Sequence, residues 1–275
     1  MNPLTRAALS PIAFLIALVA HRRMLRILVR REVRQRYADS ILGLAWIILL
    51  PFMLMTVYGG VLGGVLGVRF PGYGETPVAF AAALFCGLIT YQYFAETLNT
   101  GPRLIVGSPA LVKNFDVPVE MAPAAAVFSR SISFAAAFLV LSVAATLLGL
   151  TTPVRALAAF ALALPMTLAA LGIAWLTSAI GAYVRDLQHN VGPLATALLF
   201  LSAVFYPLGS APGPLTAVLV YNPLAVIVDA ARVMLMTGAP PDWMLYARAV
   251  LMAWVLAWLG WVVFNRVKAG FADVI

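Results

Sequence analysis

Six apolar runs, each long enough to cross a lipid bilayer, leave this chain few folds to adopt. They cover residues 41–68, 78–98, 119–150, 155–183, 191–208 and 243–264. A helix rises about 1.5 Å per residue, so about 20 apolar residues cross about 30 Å of hydrocarbon. Lipid offers backbone groups no hydrogen-bond partner, so a spanning segment is a helix or a strand of a closed barrel. The alternating pattern of barrel strands is absent. The sequence therefore predicts an all-α integral membrane protein with six transmembrane helices. Several runs exceed the minimum, which predicts tilt or extension beyond the membrane. Composition agrees: 63% of the 275 residues are hydrophobic and 10% are charged, against about 25% charged in a soluble domain. No internal repeat and no separate soluble domain is visible.

The basic residues set the orientation. With both termini cytoplasmic, that side carries Arg6, Arg22, Arg23, Arg26, Arg30, Arg31, Arg34, Arg36, Arg103, Lys113, Arg185, Arg266 and Lys268. The far side carries Arg69, Arg155, Arg232 and Arg248, and Arg130 falls inside a span. Thirteen against four satisfies the positive-inside rule. The net charge of +8 does not point to nucleic acid, because eight of the eighteen basic residues precede Tyr37 and no aromatic-interleaved basic groove follows. Residues 1–21 read as an N-terminal extension rather than a cleaved signal peptide, since "HRRMLRILVRR" follows the apolar stretch.

Residues 209–242 do not fit a simple loop. "LTAVLVYNPLAVIVDAARVMLM" is apolar enough to enter the membrane, yet Asn222-Pro223 interrupts it and Asp229 and Arg232 follow. A charge at bilayer depth costs at least about 2.5–3.5 kcal/mol. A seventh span would also send Arg266 and Lys268 outside. The segment predicts a pair of short re-entrant helices on the outer side, broken at Asn222-Pro223, between spans five and six.

Residues 22–38 read as an amphipathic interfacial helix. At about 100° per residue, Arg23, Arg26, Arg30 and Arg34 share one face. Leu25, Leu28, Val29 and Val33 form a neighbouring stripe that Glu32 and Arg36 interrupt. Such a helix lays its apolar face in the acyl boundary and its arginines among lipid phosphates. Asp39 and Ser40 then cap the first span without a linker. The remainder, 39–275, reads as a single domain of six spans.

Little in the chain suggests catalysis. There is no G-x-x-x-x-G-K-[ST] phosphate loop, and the only lysines are Lys113 and Lys268. The two histidines, His21 and His189, have no metal-ligand spacing, and no G-x-S-x-G elbow exists. Asp186 and Asp229 fall on opposite faces of the membrane in this topology. No metal site, resident cofactor or catalytic residue is expected. Cys86 is the only cysteine and sits in an apolar run, which suits packing. Glu96, near the cytoplasmic end of span two, and Arg130, in span three, fall in the same leaflet and can pair across helices. A structural ion pair and a role in gating or substrate contact both fit them.

The order of these features resembles a known family. "VRQRYADSILGLAWIILLPFMLMTVYG" is similar to the opening of permease subunits in type-2 ABC exporters of polysaccharides. The matching residues are Arg36, Tyr37, Ser40, Leu42, Gly43, Trp46 and Pro51. "LVKNFDVPVEMAP" is similar to that family's first cytoplasmic loop, "YNPLAVIVDAAR" to its outer N-P-x segment, and "FADVI" to its ending. The resemblance covers nearly the whole chain after about His21, and "RYADSILG" looks most like the O-antigen branch. It implies a homodimer with two separate P-loop ABC ATPase subunits, which bind ATP and magnesium. It implies a bacterial inner-membrane location and a lipid-linked polysaccharide as cargo.

The interfacial arginines Arg23, Arg26, Arg30, Arg34 and Arg36 then suit both anchoring in lipid and attraction of a lipid pyrophosphate. Tyr58, Phe200, Phe205 and Tyr206 are candidates for lining a conduit, where sugar C–H faces pack on rings; an aromatic belt at the lipid interface is the other reading. The loop 101–118 is the expected ATPase-coupling surface, with Arg103, Lys113, Asn114, Phe115 and Asp116 as its candidates. A short helix there presents an aromatic beside a cation, and the resemblance places its coupling helix in the same loop. The alternatives are an exporter of a small drug or lipid, a membrane-embedded glycan-lipid transferase, and a scaffold that transports nothing.

Overall fold

The computed structural model describes residues 10–37, 42–73, 76–107, 109 and 118–271. The described residues form helices joined by short turns. The chain begins with α1 (Ala13–Ala20) and α2 (Arg22–Tyr37). The first span is α3 (Trp46–Tyr58), continued as a wider π-helical coil over Gly59–Val65. Next come α4 (Pro77–Thr100), α5 (Met121–Leu147), α6 (Pro153–Ala163), α7 (Met166–Tyr183) and α8 (Leu187–Phe200). Helices α9 (Gly213–Tyr221), α10 (Pro223–Thr237) and α11 (Trp243–Val267) complete the chain.

Among the described residues, five segments have the length and hydropathy of a membrane span: Trp46–Val65, Pro77–Arg103, Met121–Leu147, Pro153–Tyr183 and Trp243–Gly270. The protein is a multi-pass membrane protein. Its helix starts are written locally. Thr76, Thr152 and Asn222 each precede a proline and accept a hydrogen bond from a first-turn N–H; Asp242 accepts from Met244 and Leu245. Proline at the first helical position loses no intrahelical bond, and the preceding side chain satisfies one orphan donor.

The expected fifth span is shorter than the sequence suggests. Helix α8 ends at Phe200, not near residue 208. Its 14 residues rise about 21 Å, short of the hydrocarbon thickness. Residues 201–206 form turns instead. The following segment is apolar but bent: α9 and α10 meet at 96° around Asn222. Asn222 Oδ1 accepts from the Leu224 N–H at 3.0 Å, and its amide donates to Leu201 O at 2.6 Å. The broken, re-entrant character read from Asn222-Pro223 has this physical basis.

The core lies where α4, α5, α7 and α11 meet. Trp175 of α7 is fully buried and donates to Glu120 O at 3.0 Å. It packs edge-on against Trp261 at 5.1 Å and Phe14 at 5.9 Å. The region taken from sequence as an N-terminal extension is therefore not a free tail over its described part. Phe14 of α1 is buried between Trp175 and Trp254, because a ring on an apolar helix finds an aromatic pocket at the bundle's edge.

One end of the bundle, the base, brings the end of α11 against the start of α5. Lys268 pairs with Glu120 at 3.1 Å, and Tyr183 donates to Val267 O at 2.8 Å. Helix α2 packs there against the start of α5. Arg23, Arg26, Arg30 and Arg34 are exposed, as the helical phase predicts. The stripe beside them differs from expectation. Met24, Leu25 and Leu28 pack on the protein core rather than facing acyl chains alone, because α5 offers a nearer apolar surface.

The first span is the least covered of the five candidate spans: 6% of its most apolar window is buried. Its close contact with α4 is at the glycines. A Cβ at Gly59 would sit 2.6 Å from the Ala81 Cβ, and one at Gly63 would sit 2.9 Å from Pro77 O.

Candidate functional site

Between α3, α4 and α5, toward the base, lies a cavity of about 550 Å³. Its walls are apolar and aromatic: Trp46, Leu50, Phe85, Ile89 and Phe134. Arg36, Glu96, Thr100, Arg130 and Ser133 give it one polar end. The local sequence explains the arrangement. Gly43 adopts a φ of +49° where the chain turns from α2 into the first span, a conformation that favours glycine. That turn brings Trp46 and Pro51 to the cavity while Arg36 stays at the end of α2. Arg36 departs from the exposed arginine face and reaches inward: its Nη1 lies 3.5 Å from both Glu96 Oε2 and Ser133 Oγ.

The structure brings Glu96 and Arg130 together, but loosely. Arg130 Nε is 3.9 Å from Glu96 Oε2, beyond hydrogen-bond range. Arg130 Nη2 donates to Thr100 Oγ1 at 2.5 Å. The Arg130 side chain is 6% exposed. Two guanidinium groups therefore flank one half-exposed carboxylate, and Glu32 of α2 lies close enough to act on Arg130 as well.

The second site is one that sequence reasoning missed. Arg232, counted from sequence with the far-side charges, is fully buried. It donates to Ala83 O at 3.0 Å, Tyr206 O at 3.1 Å and Val204 O at 2.8 Å. The last two carbonyls belong to the turns that follow α8. Asp229, one turn back, accepts from the Leu208 N–H at 3.1 Å. Helix α10 thus supplies the polar groups that the broken end of α8 lacks. Gly87 makes the approach possible: a Cβ there would sit 2.3 Å from Arg232 Nη2. The guanidinium also lies 5.2 Å from the centre of the Phe70 ring. The available sequence signal is an Asp and an Arg three residues apart inside an apolar run.

The ABC-2 type transporter family model matches residues 23–236. The chain belongs to this family. The match runs from α2, through the cavity and Arg232, to the end of α10, so both sites lie within the ABC-2 type transporter region. The chain is similar over most of its length to curated relatives. It is 25% identical over 261 residues to the O-antigen export system permease protein RfbA of Myxococcus xanthus, covering 94% of this chain and 97% of that one. It is 21% identical over 253 residues to the protein of the same name from Klebsiella pneumoniae, with 92% and 95% covered. It is 24% identical over 213 residues to the polysialic acid transport protein KpsM of Escherichia coli, with 76% and 79% covered.

The remaining candidate residues of this ABC-2 type transporter chain fall in three places. Phe200, Phe205 and Tyr206 cluster at the end of α8: the Phe200 and Phe205 rings are 5.5 Å apart, and the Tyr206 hydroxyl donates to Phe200 O. Tyr58 lines the cavity and, like Phe205, packs on a second buried cluster that includes Phe80, Tyr91 and Val204. Arg103 is exposed at the base, and its Nη2 lies 3.4 Å from Gln188 O, bringing the turn after α4 beside the start of α8. Lys113, Asn114, Phe115 and Asp116 lie outside the described residues, as do Asp39 and Ser40.

Proposed function

We propose that this ABC-2 type transporter chain is the permease subunit of an exporter that moves a lipid-linked, O-antigen-like polysaccharide out of the cytoplasm. In this reading the base faces the cytoplasm of a bacterial cell and both termini lie there. Two copies form the conduit, and two P-loop ABC ATPase subunits dock on the base and hydrolyse ATP. The observation that carries the cargo is the near-complete, end-to-end similarity to O-antigen export permeases. The barely covered first span supports the second copy: an apolar helix left open by its own chain suits a dimeric wall. The exposed arginine face of α2 suits the anionic cytoplasmic leaflet.

The test is genetic and chemical. Disrupting the gene in its source cell is expected to abolish surface polysaccharide and to accumulate lipid-linked polymer inside, with both restored by the intact gene. Normal surface polysaccharide in the disrupted strain, together with lost resistance to a small amphipathic drug, overturns the cargo and favours the drug-exporter reading.

A further inference from the structure

We propose that the cavity between α3, α4 and α5 binds the phosphate of a lipid, held by Arg130 and Arg36, with its hydrocarbon chain along the apolar wall. Arg130 carries the inference. It is 5% exposed, and its Nε and Nη1 have no hydrogen-bond acceptor among the described residues. A buried donor left unpaired costs about 1–3 kcal/mol, and more when the group is charged. These donors belong to a side chain that lines the cavity.

The surrounding groups fit an anion better than they fit one another. Arg36 and Arg130 stand 3.5 and 3.9 Å from the Glu96 carboxylate, whereas a charge-assisted hydrogen bond closes to about 2.7–2.9 Å. The Ser133 and Thr100 hydroxyls border the same space. Two guanidinium forks suit a tetrahedral oxyanion, which offers several acceptors in different directions. The rest of the cavity dictates the ligand's other end. Water satisfies the arginines but leaves Trp46, Leu50, Phe85 and Phe134 wet. A plain hydrocarbon does the reverse. A phosphate on a hydrocarbon chain satisfies both, and the volume of about 550 Å³ lies in the range of small-molecule sites. The uncovered first span forms the outer wall, so such a molecule enters sideways from the bilayer.

The inference does not depend on the exported cargo, because bulk phospholipid and phosphorylated polyprenol share this chemistry. The full-length protein, delipidated in detergent, is titrated separately with phosphatidylglycerol, undecaprenyl phosphate, diacylglycerol and inorganic phosphate. Binding is read by native mass spectrometry and thermal stability. One phosphatidylglycerol or one undecaprenyl phosphate per chain is expected to bind, with diacylglycerol and inorganic phosphate at least tenfold weaker. Preference for the first assigns the site to bulk lipid, and preference for the second to a carrier lipid. Arg130→Gln is expected to weaken binding at least tenfold. Arg36→Gln, at the accessible mouth, is expected to do the same and stands in if the buried variant fails to fold. Arg155→Gln, exposed at the end of the bundle away from the base, is expected to bind like the parent. Equal binding of diacylglycerol, or parent-like binding by folded Arg36→Gln, overturns the proposal.

Discussion

Replacing Arg232 by methionine is expected to destabilise the protein by about 2–5 kcal/mol. Met keeps much of the side-chain volume and removes the donors. Ala83 O lies inside α4 and keeps its helical partner, so the loss falls on Val204 O and Tyr206 O, which sit in turns. Each buried carbonyl left without a partner costs about 1–3 kcal/mol. Asp229 also loses the cation 3.8 Å away. Gly87→Ala is expected to cost nearly as much, because the new Cβ collides with Arg232 Nη2 and displaces it. The two substitutions act on one contact and must therefore be non-additive. In the Arg232→Met background, Gly87→Ala is expected to lose at least about 1 kcal/mol of its effect. Reversible unfolding in mixed detergent micelles, followed by tryptophan fluorescence, measures all three free energies. Additive effects, or a Gly87→Ala variant as stable as the parent, refute the claim that α10 completes the end of α8 through this arginine.

Phe14→Ala is expected to cost about 3–5 kcal/mol, the usual loss for a buried ring, by the same unfolding measurement; a neutral result removes α1 from the core. For orientation, Cys86→Ala supplies a thiol-free background. Single cysteines at Ser210 and Thr237 are expected to react with an impermeant reagent outside intact cells, and one at Ala269 to stay unlabelled; labelling at Ala269 reverses the proposed topology. For energy coupling, Phe115→Ala with Lys113→Glu is expected to weaken association with the partner ATPase about thirtyfold, equivalent to about 2 kcal/mol, measured by co-purification and titration. Parent-like association and export move the coupling surface to the turn around Arg185 and Asp186.

The long spans were legible in the sequence because length and apolarity alone decide them. The start of α10 was legible too, since Asn222-Pro223 both caps one helix and bars the other from continuing. Arg36 announced itself as the arginine out of phase with its neighbours. The early end of α8 was not legible. "LLFLSAVFYPLG" is apolar throughout, and what stabilises its break is an arginine more than twenty residues later. A local pattern cannot show a partner supplied by another helix. For the same reason, the sequence placed Arg232 on the far side without showing what buries it, and the α2 stripe read as lipid-facing. Hydropathy reports that a residue avoids water, not whether lipid or protein covers it. The loose geometry around Glu96 was likewise hidden, because spacing along two helices places groups in one leaflet without fixing the gap between them.

The way the first span is fastened has a mechanical consequence. It presses on α4 at Gly59 and Gly63, while its other half borders the cavity. It is therefore a lever with its fulcrum at the glycines. The arm from Trp46 to Tyr58 has 13 residues and measures about 20 Å. A tilt of about 10° at the fulcrum carries the tip by about 3.5 Å, by simple geometry on that arm. That swing carries Trp46, Leu50 and Pro51, which line the cavity, so a small tilt of one helix widens or narrows the space in front of the polar end.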